Sequence, residues 1–140
     1  MSGESVLILA ACLNALAALL HVGCILFGAT WYRFFGAGEE LARLAEQGSL
    51  KPTLVTSIIV IVLASWAAYL LSAAGMIGPL PFFEIGLLVI TGVYLIRGVG
   101  GFFFITKPMG RSKWFWFWSS AICLASGLIH LYGTLQYWRG

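Results

Sequence analysis

Four long apolar runs constrain this chain more than any other feature. They cover about residues 5–29, 53–75, 81–105 and 114–137. Each reaches the ~17–25 residues that a helix needs to cross a hydrocarbon core of ~30 Å. Backbone N–H and C=O groups have no water to bond inside lipid, so each run must satisfy them internally as a helix. The composition agrees. Of the 140 residues, 61% are hydrophobic and 9% charged, against ~25% charged in a soluble domain. The sequence predicts an all-α integral membrane protein with a single domain over 1–140. The expected architecture is a four-transmembrane-helix up-down bundle with a short amphipathic cytoplasmic helix between the first two spans.

The first run reads as a retained transmembrane helix rather than a cleaved signal peptide. Its leader holds Glu4 and no Lys or Arg, and the apolar stretch is too long for a signal. Basic residues fix the expected orientation. Arg33, Arg43, Lys51, Lys107, Arg111 and Lys113 fall in or beside loops 30–52 and 106–113, whereas Arg139 lies with the termini. Cytoplasmic loops carry the Lys/Arg excess, so these loops are expected inside and both termini outside, in a bacterial inner-membrane arrangement. The net charge of +3 reflects this bias and gives no argument for nucleic acid. Met76-Ile77-Gly78-Pro79-Leu80 reads as a tight outer hairpin, because Gly and Pro stop one helix and start the next. Gly36-Ala37-Gly38 reads as the break that ends the first helix. Glu39 to Gln47 then reads as a short helix with Leu41, Leu44 and Ala45 on its apolar face, and with Glu39 and Arg43 spaced as an i,i+4 pair. Trp31, Tyr32, the Trp114–Trp118 cluster, Tyr137 and Trp138 stand where aromatic rings mark the membrane interfaces.

Inside the runs, ionisable residues are costly and therefore informative. There are four: His21, Glu84, Arg97 and His130. Depth along each helix, at ~1.5 Å per residue, separates them into two expected polar layers. Glu84, His130 and Tyr69 would form an outer layer, and His21, Arg97 and Ser57 an inner one. Arg97 has three readings: snorkelling to headgroups, pairing with Glu39 or Glu40, or binding an anionic ligand or lipid. Small and polar residues also recur at helical spacing. Asn14 and Gly28 share a face with His21. Thr91 and Gly98 share one on the third span, and Ser119, Cys123, Ser126 and Gly133 one on the fourth. These are expected to form the helix-packing face, because small residues let helices approach closely.

Few chemistries fit. Cys12, Cys24 and Cys123 make no CxxC pair, so neither a metal nor a quinone-linked thiol oxidase is indicated. Bis-histidine haem is the one cofactor that two intramembrane histidines invite, and depth argues against it, since His21 and His130 fall on opposite sides of the expected midplane. No nucleophile–base pair or phosphate loop is present, so an enzyme is the weaker expectation. The leading expectation is a homo-oligomer or an accessory subunit that packs in the bilayer against itself or another membrane protein. The alternatives are a small proton-coupled transporter or channel built on Glu84 and His130, and an intramembrane cofactor-binding or lipid-modifying protein.

Overall fold

A computed structural model describes residues 2–107 and 111–140. The predicted loop 106–113 is therefore described except for residues 108–110, which lie outside the described residues. Six helices occur in the described chain: α1 (Gly3–Phe27), α2 (Ala29–Phe34), α3 (Glu39–Glu46), α4 (Lys51–Ala73), α5 (Phe83–Phe103) and α6 (Lys113–Arg139). Four of them, α1, α4, α5 and α6, are long and apolar enough to cross a membrane.

Local chemistry sets the helix ends. Ser2 caps α1 by accepting from the Ser5 amide, and Ser112 caps α6 by accepting from the Phe115 amide. Both side chains satisfy a donor that the first helical turn leaves unpaired. Pro52 stands in the first turn of α4, where its missing N–H costs nothing. The first helix ends earlier than expected. Gly28 adopts φ 72° and its amide bonds to the Cys24 carbonyl. A residue with a Cβ rarely takes this backbone conformation, so α1 already ends at Gly28, and the expected break at Gly36–Gly38, where both glycines also take positive φ, separates α2 from α3. Gly28 is thus a hinge between α1 and α2 rather than a residue of the packed face. The turn folds Trp31 back onto Gly23, where a Cβ would meet the indole.

α1 packs along α4, α5 packs along α6, and α1 also packs on α6. The α4–α5 contact is slighter. Both α6 interfaces are antiparallel: Gly3 and Gly133 abut Gln136 and Leu7 across α1–α6, while Gly98 and Gly127 abut Leu124 and Leu95 across α5–α6. Lipid tails are as apolar as leucine, so no hydrophobic force drives helix against helix here. Close packing and interhelical hydrogen bonds must hold the bundle. Gly98 shows how close the approach is, because a Cβ there would lie 2.6 Å from the Leu124 backbone nitrogen. One core cluster joins Leu7, Ala10, Ala11, Leu70, Ala74 and Leu87.

At the other end, α2 and α3 form a corner against α4. Tyr32 is buried and donates to the Pro52 carbonyl at 3.2 Å, with Thr56 Oγ1 2.9 Å away. Glu39 does not pair with Arg43. Its carboxylate takes a bidentate contact from Arg33, which also bonds Glu46. The Arg33 guanidinium holds both carboxyls below the usual range, and they in turn push Arg33 up. On α3, Ala42 is buried, Leu41, Leu44 and Ala45 are half-buried, and Glu39, Glu40, Arg43 and Glu46 are exposed. Between α4 and α5 the connection spans 74–82, longer than the predicted hairpin. It is tied by Ser72, which donates to the Gly78 carbonyl and accepts from the Leu80 amide.

Candidate functional site

The chain builds two polar sites along its four long apolar helices. The first lies near the middle of α1, α5 and α6 and joins Asn14, Tyr94 and His130. Asn14 is 0% and His130 1% exposed. His130 Nδ1 stands 2.6 Å from the Ser126 carbonyl. A carbonyl only accepts, so Nδ1 carries the proton and the neutral ring leaves Nε2 as an acceptor. Asn14 Nδ2 fills that role by donating to Nε2 at 2.8 Å. Its second N–H goes to the Ala10 carbonyl at 2.9 Å. Asn14 Oδ1 accepts from the Tyr94 hydroxyl at 2.7 Å.

Each donor thus has an acceptor, and the three side chains hold one another in a single arrangement. The Tyr94 ring also lies against the imidazole, with centroids 4.7 Å apart, and Trp66 of α4 packs edge-on to Tyr94 at 5.5 Å. All four spans therefore contribute. One turn away, the Thr91 and Thr134 hydroxyls meet at 3.3 Å. Among the described residues, no buried side-chain nitrogen or oxygen lacks a partner. The site is chemically closed: it can lock helix register, but its polar atoms are already engaged.

The second site lies toward the end of the bundle that carries Lys107 and Lys113. Arg97 of α5 donates to Ser119 at 2.9 Å and, more weakly, to Ser120 at 3.4 Å. Its guanidinium carbon stands 5.1 Å from the centroid of the Trp116 ring. Arg111, just before α6, lies 5.7 Å from the same ring and 4.8 Å from Phe115, and it donates to the Ala37 carbonyl. Burial, together with repulsion from Arg97, pushes Arg111 below the usual arginine range.

The two predicted layers are not brought together. Glu84 is exposed near the start of α5, ten residues or ~15 Å of helix rise from Tyr94, the residue that meets His130. Tyr69 donates instead to the Pro81 carbonyl. In the inner set, His21 bonds its own helix through Nδ1 and the Ala17 carbonyl at 2.7 Å. Arg97 turns to the α6 serines rather than to His21, Ser57 or Glu39. His21 lies seven residues along α1 from Asn14, ~10 Å by helix rise, so the two histidines do not face one another. On the packing face, Asn14, Thr91, Gly98 and Gly133 are buried, and Ser119, Cys123 and Ser126 are half-buried.

Sequence reasoning missed Tyr94, Ser120 and the role of Trp116. The signal for Tyr94 was present, since a tyrosine eleven residues from the nearer end of the apolar run 81–105 is itself a buried polar group. A search restricted to ionisable residues and small-residue stripes passes over it. Among the described residues, no cluster of His, Cys, Asp and Glu could hold a metal ion. Compared with protein-family models, characterised proteins and solved structures, the chain gives no match.

Proposed function

We propose that the protein is a small non-enzymatic membrane subunit that works by assembling within the bilayer, with a second copy of this chain as its partner. The observation that carries this reading is the closure of the Asn14–Tyr94–His130 network. Its hydrogen-bonding atoms are committed within the chain, so the interior is built to hold helices and not to handle a proton or a substrate. Function then belongs to the outer surface. In this reading the chain is one up-down bundle in a bacterial inner-membrane arrangement. Loops 30–52 and 106–113 face the cytoplasm, where their basic residues favour retention, and α3 lies in the interface as an amphipathic helix.

The outer face of α5 supports the location. Gly98 and Gly101 are filled by α6, and Gly86 by Tyr69, whereas Cβ atoms built at Gly92 and Gly100 meet nothing within 4 Å among the described residues. Ile96, 75% exposed, stands between them on the same face. Glycine in a helix costs ~1 kcal/mol relative to alanine in soluble hosts, and here no neighbour among the described residues uses the space. Two such notches flanking one ridge are self-complementary, as a two-fold contact requires, and glycine faces of this kind let membrane helices approach closely.

Förster transfer between donor- and acceptor-labelled copies in vesicles tests the reading. The wild type should transfer above the level of random mixing as lipid is added. Gly92→Leu/Gly100→Leu should return to that level with its melting unchanged. A wild type that stays monomeric at every lipid ratio would overturn the assembly reading, and a monomer that instead co-purifies with another membrane protein would move the partner from self to non-self.

A further inference from the structure

Among the described residues, Arg97 and Arg111 are a cationic pair that converges on a single ring with no ion-paired acid. The chain has five carboxylates: Glu4, Glu39, Glu40, Glu46 and Glu84. Glu39 and Glu46 are committed to Arg33. Glu4 and Glu84 lie at the starts of α1 and α5, at the opposite end of the bundle. Glu40 is exposed on α3, and no ion pair joins any acid to Arg97 or Arg111 among the described residues. Two guanidinium groups therefore flank Trp116 at 5.1 and 5.7 Å and repel one another. Charge of this kind at membrane depth is expensive and is kept where it has a counter-ion or a task.

We propose that Arg97 and Arg111, with Ser119, form a binding site for a phosphate group of net negative charge, one with no attached cation to cancel it, at the α5–α6 end of the bundle. The chemistry fits in three ways. Guanidinium groups are planar forks that match phosphate oxygens in pairs of hydrogen bonds, and they are weakly enough hydrated to work near lipid. Arg97 gives only two of its five N–H donors to the serines among the described residues; the Ser119 and Ser120 hydroxyls fix its plane and leave the rest for a ligand. Arg97, Arg111 and Ser119 are each half-buried, so they are held and still reachable. Lys107 and Lys113 are exposed at the same end and raise the local potential, as basic pockets between spans do where they take lipid headgroups. Arg97 lies six residues inside the end of α5, ~9 Å by helix rise, a depth that a headgroup phosphate reaches from the adjoining leaflet and a soluble phosphate reaches from water. The assembly reading is not needed for this site, which lies on the α6 side of α5.

Native mass spectrometry of the full chain, delipidated and titrated with matched-chain phosphatidylglycerol, phosphatidylcholine or inorganic phosphate, decides the matter. The wild type should retain phosphatidylglycerol roughly tenfold or more over phosphatidylcholine. Arg97→Gln/Arg111→Gln should fall to the phosphatidylcholine level, while Lys107→Gln/Lys113→Gln should keep most of the preference. Displacement of the lipid by millimolar inorganic phosphate would support the site with a soluble source, and resistance to it would support the site with a lipid source. Because Arg97 lies within a span, Arg111→Gln alone serves as the variant least able to disturb folding, and it should lose at least about half of the preference. Equal retention of the two lipids by the wild type, an unaltered preference in Arg111→Gln and the double arginine variant, or an equal loss in the lysine variant would each overturn the proposal.

Discussion

The two polar sites of this bundle differ in whether their chemistry is finished. Asn14, Tyr94 and His130 sit near the middle of the long helices and, among the described residues, exchange hydrogen bonds only with one another and with the Ala10 and Ser126 carbonyls. Arg97 and Arg111 sit toward one end, share an indole, and touch no carboxylate among the described residues. Both are costly to place in lipid, but the cost is offset in different ways. The central site is neutral and saturated, so it acts on the fold. The peripheral site is charged and meets no carboxylate among the described residues, which is the basis of the proposed phosphate site. A polar residue in a span is thus informative less by its identity than by how many of its donors and acceptors the protein itself uses.

That contrast is broken most directly at Asn14. Asn14→Ala strips the acceptor from Tyr94 and the donor from His130 together, leaving buried groups unpaired at ~1–3 kcal/mol each. We expect a loss of about 2–3 kcal/mol in bicelle unfolding equilibria. Asn14→Leu/Tyr94→Phe/His130→Leu should cost less than the sum of its single changes, because removing every partner leaves no orphan. Full additivity would show that the three do not act as a unit.

Packing supplies the next test. Gly98→Ala drives a Cβ into the Leu124 backbone and should cost about 1–3 kcal/mol by overpacking. Gly92→Ala, facing open space on the same helix, should leave stability unchanged or raise it by up to about 1 kcal/mol. Arg97→Gln should fall between these limits, at about 1 kcal/mol or less, since its hydrogen bonds to Ser119 and Ser120 lie in a half-exposed setting. A larger loss for Arg97→Gln than for Asn14→Ala would reverse the assignment of structural and binding roles.

The smallest expected effect lies at the α2–α3 corner and depends on pH. Glu39 and Glu46 are held below their ordinary value of 4.5 by Arg33. Their contribution is therefore present above that value and is lost as pH falls through and below it, while Arg33 stays charged throughout. Both carboxylates are exposed, so the effect is local. A spin label on α3 should gain mobility as pH falls below about 4.5, and the same label in Arg33→Gln should show no such step.

Much of the fold was legible in the sequence. The four spans emerge within a few residues of the apolar runs, because run length against bilayer thickness leaves little choice. The short helix after Gly38 was legible from its punctuation by glycines. Where α1 ends was not. Both Gly28 and Gly36–Gly38 are able to break a helix, and the choice fell to Gly28 because the turn there seats Trp31 on Gly23. The site was less legible still. Depth along isolated helices placed Glu84 and His130 in one layer, but the actual partner of His130 is set by the stagger of α1 and α5 against α6. Helical periodicity gives a residue's face and says nothing of that stagger.

By itself, then, the sequence determined that four helices would be long and apolar enough to cross a membrane, since hydrocarbon admits no other way to satisfy that much apolar backbone. It also determined which residues would be expensive there. Tertiary structure alone decided what became of each. Antiparallel packing at Gly98, Gly127 and Gly133 fixed a stagger that set Asn14 and Tyr94 at His130 and closed one cluster. The same packing drew Arg97 to Ser119 and Trp116 and left the other open. The reason is geometric: a hydrogen bond is made or lost within about an ångström, and only the packed helices set positions that finely.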